Sequence, residues 1–258
     1  MKEEFASILI TNFNKENFLK DTVISCLNQE YSRKEILVFD DCSTDNSMKL
    51  LKKFKQLKVF KNKKKKFKSG PLNQIYGISE LFKKSKGKII FLLDGDDQFK
   101  KNKLNILCEK FEKNKDLKFI QDQPYLNYLK KYMQLKKKYH IFSIWPSFYP
   151  TSCIAMRKNF FKKFLKYVET KKFPNLEIDA RLSMFAFLSN NFNIDKKSLT
   201  IYNYDKIGVT SNYSKFSINW WKKRNEAFNY FIFLNNKLNL RFSKSPDYFI
   251  TKFINLFI

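Results

Sequence analysis

Two kinds of apolar spacing alternate through the first hundred residues. In FASILIT (5 to 11), EILVFDD (35 to 41), LKVF (57 to 60) and KIIFLLD (88 to 94) the apolar residues run almost unbroken, which predicts short buried strands. Between them the spacing becomes helical. NFLKDTVISCLNQ (17 to 29) sets Phe18, Leu19, Val23, Cys26 and Leu27 on one face, and Ser43 is the predicted N-cap of a helix carrying Met48, Leu51 and Phe54. Pro71 opens a third helix, with Ile75, Ile78, Leu81 and Phe82 facing inward and Gly87 as its predicted C-cap. Strands alternating with helices predict βαβ units and an α/β fold with a mainly parallel central sheet flanked by helices. KIIFLLD is apolar on both faces and so belongs at the centre of that sheet.

Polar residues gather where these strands end. Asn12 and Asn14 follow the first strand, Asp40 and Asp41 close the second, and Asp94, Asp96 and Asp97 close the fourth. Ligands of open α/β sheets bind beyond the carboxyl ends of the strands, so the three clusters are expected to face one crevice. The tetrapeptide DGDD by itself suits a solvated turn, since Asp and Gly favour turns. Two carboxylates one residue apart also suit a hard cation such as Mg²⁺ or Mn²⁺, which leaves coordination positions open for substrate phosphates.

The second half is less regular. SIWPSFYPTSCIAMRKNFFKKF (143 to 164) is rich in aromatics and proline, whereas PNLEIDARLSMFAFLSN (174 to 190) predicts an amphipathic helix with acids at its start. In DYFITKFINLFI (247 to 258), Phe249, Ile250, Phe253, Ile254 and Phe257 fall on one helical side. The tail is expected to pack on its own domain, with an interfacial anchor as the alternative.

Composition narrows the chemistry. A chain of 258 residues that is 43% hydrophobic can bury one substantial core. The formal charge of +27, from 51 Lys plus Arg against 24 Asp plus Glu, fits either an anionic partner or lysine-biased composition with solvated side chains. Cys26, Cys42, Cys108 and Cys153 form no CxxC pair, and MKEEFASILI lacks the regions of a signal peptide, so reduced thiols in a cytoplasmic protein are expected. No apolar run approaches the roughly 18 residues of a membrane span. With His140 as its one histidine, the chain lacks the parts for multi-histidine zinc sites, and HIFSIW carries no nucleophile elbow. Acid and base work falls to carboxylates. Neither an RRM-type aromatic signature nor zinc-ligand spacing is present, and no nucleic-acid partner is expected.

The stretch SILITNFNKENFLKDTVISCLNQEYSRKEILVFDDCSTDNSMKLL, followed at this separation by GKIIFLLDGDD, resembles the family 2 inverting glycosyltransferases with the GT-A nucleotide-sugar-binding fold. Weaker similarity continues through PTSCIAMRK, LEIDARL and YNYDKIGVTS (202 to 211). The resemblance implies a GT-A domain over 1 to 215, with a nucleotide-binding half (1 to 100) and an acceptor half (101 to 215), and a helical extension over 216 to 258. It implies that Thr11, Asn12 and Asn14 line the nucleotide pocket and that Asp40 and Asp41 contact base or ribose. Asp94 and Asp96 match the DxD acids, with Asp96 the more direct ligand of Mn²⁺ or Mg²⁺ and Asp97 in support. Asp179 matches the catalytic base and Glu177 is its backup. The implied activity is inverting, hexosyltransferase-type transfer from a nucleotide-diphosphate sugar to a glycan or lipid-linked acceptor, in surface polysaccharide or lipid-linked glycan synthesis. The place would be the cytoplasm, at the inner face of the plasma membrane. A catalytically inactive GT-A-like binding protein and a basic nucleic-acid-binding protein are the alternative readings.

The chain departs from the family pattern twice. PLNQIYG sets Gln74 and Ile75 where the family commonly has Arg and Asn, and YNYDKIGVTS lacks the family's histidine, leaving Lys206 as the candidate phosphate contact. The run KNKKKKFK, Lys61 to Lys68, precedes the altered segment. Solvated loop, phosphate contact and attraction to an anionic membrane remain open for it.

Overall fold

A computed structural model describes residues 4–135, 145–204 and 214–258. In chain order the elements are β1 (Ala6–Asn12), α1 (Glu16–Leu27), β2 (Lys34–Asp40), α2 (Ser47–Leu51), β3 (Leu57–Lys61), α3 (Gly70–Lys84), β4 (Ile89–Asp94), β5 (Gln98–Phe99) and α4 (Lys103–Lys113). The second half supplies β6 (Phe119–Leu126), β7 (Lys131–Tyr132), β8 (Ile154–Arg157), α5 (Lys158–Phe164), α6 (Ile178–Leu188), β9 (Ile194–Tyr202), α7 (Ile218–Lys237) and α8 (Pro246–Ile254).

The strands form one mixed sheet in the order β3-β2-β1-β4-β8-β6-β9-β5, with β7 paired to β6. β3, β2, β1 and β4 run parallel, as the βαβ pattern requires, and β8 joins β4 antiparallel. β4 is central, and its alternation explains its continuous apolarity. Ile90 and Leu92 enter the core beneath α3 and α6, whereas Ile89, Phe91 and Leu93 enter the core with α1 and α4. Both faces of the strand are therefore dry. Cys26, Cys108 and Cys153 are buried and Cys42 is partly buried, and none of the four is in a disulfide.

Several local expectations change. Ser43 caps no helix: α2 begins at Ser47 behind Asn46, and the Ser43 hydroxyl accepts hydrogen bonds from Asn14 N and Asn12 Nδ2. Its role is to tie the loop after β2 to the loop after β1. Gly87 is not a C-cap either, because α3 ends at Lys84 with Ser85 as its cap and Gly87 has no positive φ. The glycine is there for space. A Cβ at this position would lie 2.4 Å from Ser7 N, while Gly87 N donates to Ser7 Oγ at 2.8 Å. Gly87→Ala is expected to cost about 1–3 kcal/mol of stability, the usual penalty of overpacking a close contact. Thermal or denaturant unfolding checks this, and unchanged stability would show that the segment relaxes freely.

α6 is buried nearly all round, from Ile178 and Ala180 through Ala186, because it is covered by both α3 and α7. The amphipathic expectation fails there. Arg181 survives at zero exposure by donating to the backbone oxygens of Leu176, Glu169 and Phe173.

The tail also departs from expectation. Phe249, Ile250, Phe253 and Phe257 are all exposed instead of packing on the domain. α8 turns its polar edge inward: Arg224 binds Thr251 Oγ1 and Asp247, and Lys252 reaches Asn225 and Asn229 on α7. α7 itself is anchored, since Phe228, Tyr230, Phe231 and Leu234 belong to the core shared with α3 and α6.

Candidate active site

The register of the parallel strands brings the polar clusters together. β1 pairs Asn12 with Asp40 of β2 and Thr11 with Asp94 of β4, so the three strand ends open on one crevice. Asn12 is buried, with Nδ2 donating to Asp40 Oδ2 at 2.8 Å. The other Asp40 oxygen accepts from Ser43 N at 3.0 Å. Both oxygens of Asp40 thus face inward and hold the crevice floor. Asp41 accepts from Asn62 Nδ2 at 3.0 Å and lies nearer the surface.

Asn14, with φ of 51°, sits in the left-handed region that Asn tolerates better than most residues. There its Oδ1 accepts from Thr44 N at 2.8 Å. Phe13 stands beside it, 40% exposed, with Lys65 Nζ 3.5 Å from its ring centroid. This contact places the lysine run at the rim of the crevice. Lys206 and His140 lie outside the described residues.

The acids after β4 differ in what they face. Asp94 Oδ1 accepts from Gln74 Nε2 at 2.6 Å and from Thr11 Oγ1 at 3.3 Å. Burial, and next the charge of Asp96, push Asp94 up to about 7. Gly95 is required by close approach, since a Cβ there would meet Asn12 Oδ1 at 2.9 Å. Asp96 pairs through Oδ2 with Lys15 Nζ at 2.5 Å.

Asp97 is a different kind of residue. It is 1% exposed, and its two oxygens accept from Ser152 Oγ at 2.5 Å and Asn203 N at 2.8 Å. Burial raises it well above the carboxylate range, helped by Asp96 and Asp94. Both of its oxygens are engaged within the protein, tying the turn after β4 to Ser152 and to Asn203 just after β9.

Across the crevice, α6 delivers Asp179 in its first turn and Glu177 at the preceding cap position. Ala180 N donates to Asp179 Oδ1 at 2.7 Å, and Lys223 of α7 pairs with Glu177. The helix N-terminus favours the ionised form by about 0.3–1 kcal/mol. Burial and then the charge of Glu177 outweigh it and push Asp179 up to about 7. Asp94 contributes to the same rise. Tyr202, at the end of β9, has its hydroxyl raised by burial and by Asp97, Asp94, Asp96 and Asp179 together. The four acids share one field.

Sequence reasoning missed Lys15, Tyr202, Lys223, Ser152 and Asn203. Lys15 follows Asn14 directly, but one lysine among a large basic excess carries no signal in sequence. Here it stands against Asp96 and supplies positive charge on the side where Gln74 replaces the arginine.

The fit of a divalent cation rests on Asp94 and Asp96. Among the described residues no group of three or more His, Cys, Asp or Glu is placed to hold a metal. Two carboxylates that repel each other at the mouth of an otherwise basic protein still suit Mg²⁺ or Mn²⁺, which commonly takes one or two carboxylates plus substrate phosphates.

The sequence model of glycosyl transferase family 2 matches residues 7–166, which includes both strand-end clusters and the DGDD turn. The chain belongs to this family. A curated relative from Escherichia coli, UDP-Glc:alpha-D-GlcNAc-diphosphoundecaprenol beta-1,3-glucosyltransferase WfaP, is 33% identical over 104 residues, covering 40% of this chain and 39% of that protein. The chain matches well under half the length of this and the other leading curated relatives. Among solved structures, S. aureus TarS 1-349 in complex with UDP-GlcNAc superimposes with a TM-score of 0.68 at 15% identity, covering 88% of this chain and 66% of that one. Mannosyltransferase PcManGT from Pyrobaculum calidifontis, in complex with GDP-Man and Mn²⁺, gives 0.65 at 12% identity, covering 96% and 68%. The fold of this family 2 member is thus of the GT-A type.

Proposed function

We propose that this family 2 protein transfers a sugar from a nucleotide-diphosphate sugar to an acceptor hydroxyl with inversion. The observation that carries the reading is the placement of Asp179 across one crevice from Asp94 and Asp96, with a proton affinity near neutrality. Thr11, Asn12, Asn14, Asp41 and Gln74 line the donor side, with Asp40 fixing the floor. Asp94 and Asp96 would hold Mn²⁺ or Mg²⁺, which when bound supplies neutralising charge for the diphosphate.

The residues of the chain supply the rest. Asp179 accepts the acceptor hydroxyl proton as that oxygen attacks the anomeric carbon. The new carbon–oxygen bond forms opposite the breaking bond to the diphosphate, so a single displacement inverts the centre. Lys15 lies where it can exchange Asp96 for a diphosphate oxygen. Lys223 pairs with Glu177, leaving Asp179 as the base. The names of the relatives support nucleotide-sugar donors and a glycan or lipid-linked acceptor in surface polysaccharide synthesis.

A base with a pKa near 7 gives a definite pH profile. Asp179 must be ionised to accept a proton, so kcat/KM is expected to fall about tenfold per unit as pH drops below about 7. Nucleoside diphosphate release across a donor panel, measured between acid and neutral pH, tests both claims. A flat profile over that range removes Asp179 as the base, and no release from any donor with Mn²⁺ and acceptor present removes the enzymatic reading.

A further inference from the structure

We propose that the N-terminal end of α7 and the outward side of α8 form a docking face for an anionic membrane surface. Phe216 and Ile218 at the start of α7 are 64% and 57% exposed, and Phe253, Leu256 and Phe257 at the end of α8 are 63%, 78% and 73% exposed. The two helices are antiparallel, with Asn255 Nδ2 donating to Trp221 O at 3.1 Å and Arg224 binding Thr251. The start of α7 and the end of α8 therefore lie side by side, and each carries exposed apolar residues. A helix that buries its polar edge and presents its aromatic edge has the opposite polarity to one made only to cover a core.

Charge decides the occupant. Residues 214 to 258 contain eight Lys or Arg against two acids, Glu226 and Asp247. Both acids are engaged inward, Asp247 with Arg224 at 2.6 Å and Glu226 with Asn175 N at 2.8 Å. Lys215, Lys222 and Lys244 are exposed, so the face presents positive charge around its aromatic residues. A second copy would bring the same positive charge and be repelled, whereas an anionic lipid surface complements it. No helix among the described residues is long and apolar enough to cross a membrane, so the mode is lying on the surface.

The face also has a functional position. Lys223, on the same first turns of α7, pairs with Glu177 beside Asp179. Docking there turns the base side of the crevice toward the lipid, which suits an acceptor carried at a membrane. This last consequence rests on the glycosyltransferase reading, whereas the docking itself does not.

Cosedimentation with phosphatidylcholine vesicles, with and without phosphatidylglycerol, tests the proposal. The wild-type chain is expected to bind the phosphatidylglycerol vesicles, to release in high salt, and to ignore pure phosphatidylcholine. Phe216→Ser, Phe253→Ser and Phe257→Ser together are expected to reduce binding about tenfold or more at unchanged melting temperature, because none of the three is buried. Should that variant unfold, Lys215→Glu, Lys222→Glu and Lys244→Glu together provide the second test and are expected to abolish binding. Changing Lys63, Lys64, Lys65 and Lys66 to Ser is expected to leave most binding in place. Absence of wild-type binding, undiminished binding by the folded variants, or loss confined to the Lys63 to Lys66 variant overturns the proposal. So does a lipid-free dimer, seen by sedimentation velocity, that the Phe variant dissociates. Donor binding measured on the same preparations reads the enzymatic claim separately.

Discussion

Asp179→Asn is expected to lower turnover at least about a hundredfold while leaving donor affinity within a few fold, as follows from removing a positioned base. Asn has nearly the same shape, and its oxygen can keep the hydrogen bond from Ala180 N. It cannot take the proton. Steady-state measurement of nucleoside diphosphate release separates kcat from KM and checks the split. Glu177→Gln is expected to act more weakly and differently, because Glu177 is already tied to Lys223. Its loss frees Lys223 and removes the neighbouring charge that raises Asp179, moving the acid limb of the pH profile downward. If Asp179→Asn changes only donor affinity while Glu177→Gln stops turnover, the base is Glu177.

Asp96→Asn is expected to lower transfer on the order of a hundred- to a thousandfold, the scale seen when one preorganised electrostatic contact to developing charge is lost. The fold should persist, since Asp96 keeps a 15% exposed side chain at the crevice and removing its charge relieves the repulsion that raises Asp94. Excess EDTA should reproduce the loss in the wild-type chain. Full activity in either case would show that Lys15 and other lysines neutralise the diphosphate unaided. Asp97→Asn provides the contrast: its oxygens hold Ser152 and Asn203, so that change is expected to lower melting temperature as well as activity.

How much of this was legible in sequence depends on the range of each interaction. The parallel half was readable because each strand and helix carries its own period, and strand-end acids converge whenever parallel strands share a register. The mixed second half was not. β5 has two residues and β8 four, and their partners lie far away in the chain, Gln98 opposite Ile201 and Phe91 opposite Ala155. No local pattern records such a pairing. Buried charge was equally silent: Lys103 and Asp122 pair at 2.7 Å with zero exposure, yet look like ordinary surface residues in sequence. Ser43 and Gly87 had the right residue types for caps and serve instead in contacts across the sheet. In the tail the apolar stripe of α8 was visible, but its outward direction is set by Arg224, Asn225 and Asn229 on another helix.

The site shows the same division. DGDD, Asp179 and the asparagines at the end of β1 and just beyond it stand out by position. Lys15, Tyr202 and Lys223, which set the charge around those acids, become visible only when the start of α1, the end of β9 and α7 are brought to the same crevice.

The most direct test is thermal unfolding of the wild-type chain and Asp96→Asn with a panel of UDP- and GDP-sugars, each with and without Mn²⁺. A ligand at about a hundred times its dissociation constant stabilises the folded state by about 2.7 kcal/mol. For a chain of this size that corresponds to a rise of roughly 5–10 °C in melting temperature. At least one donor should produce such a rise in the wild type, larger with Mn²⁺, and Asp96→Asn should lose the Mn²⁺-dependent part. A melting temperature that no donor moves, with or without Mn²⁺, would contradict a nucleotide-sugar site in this crevice.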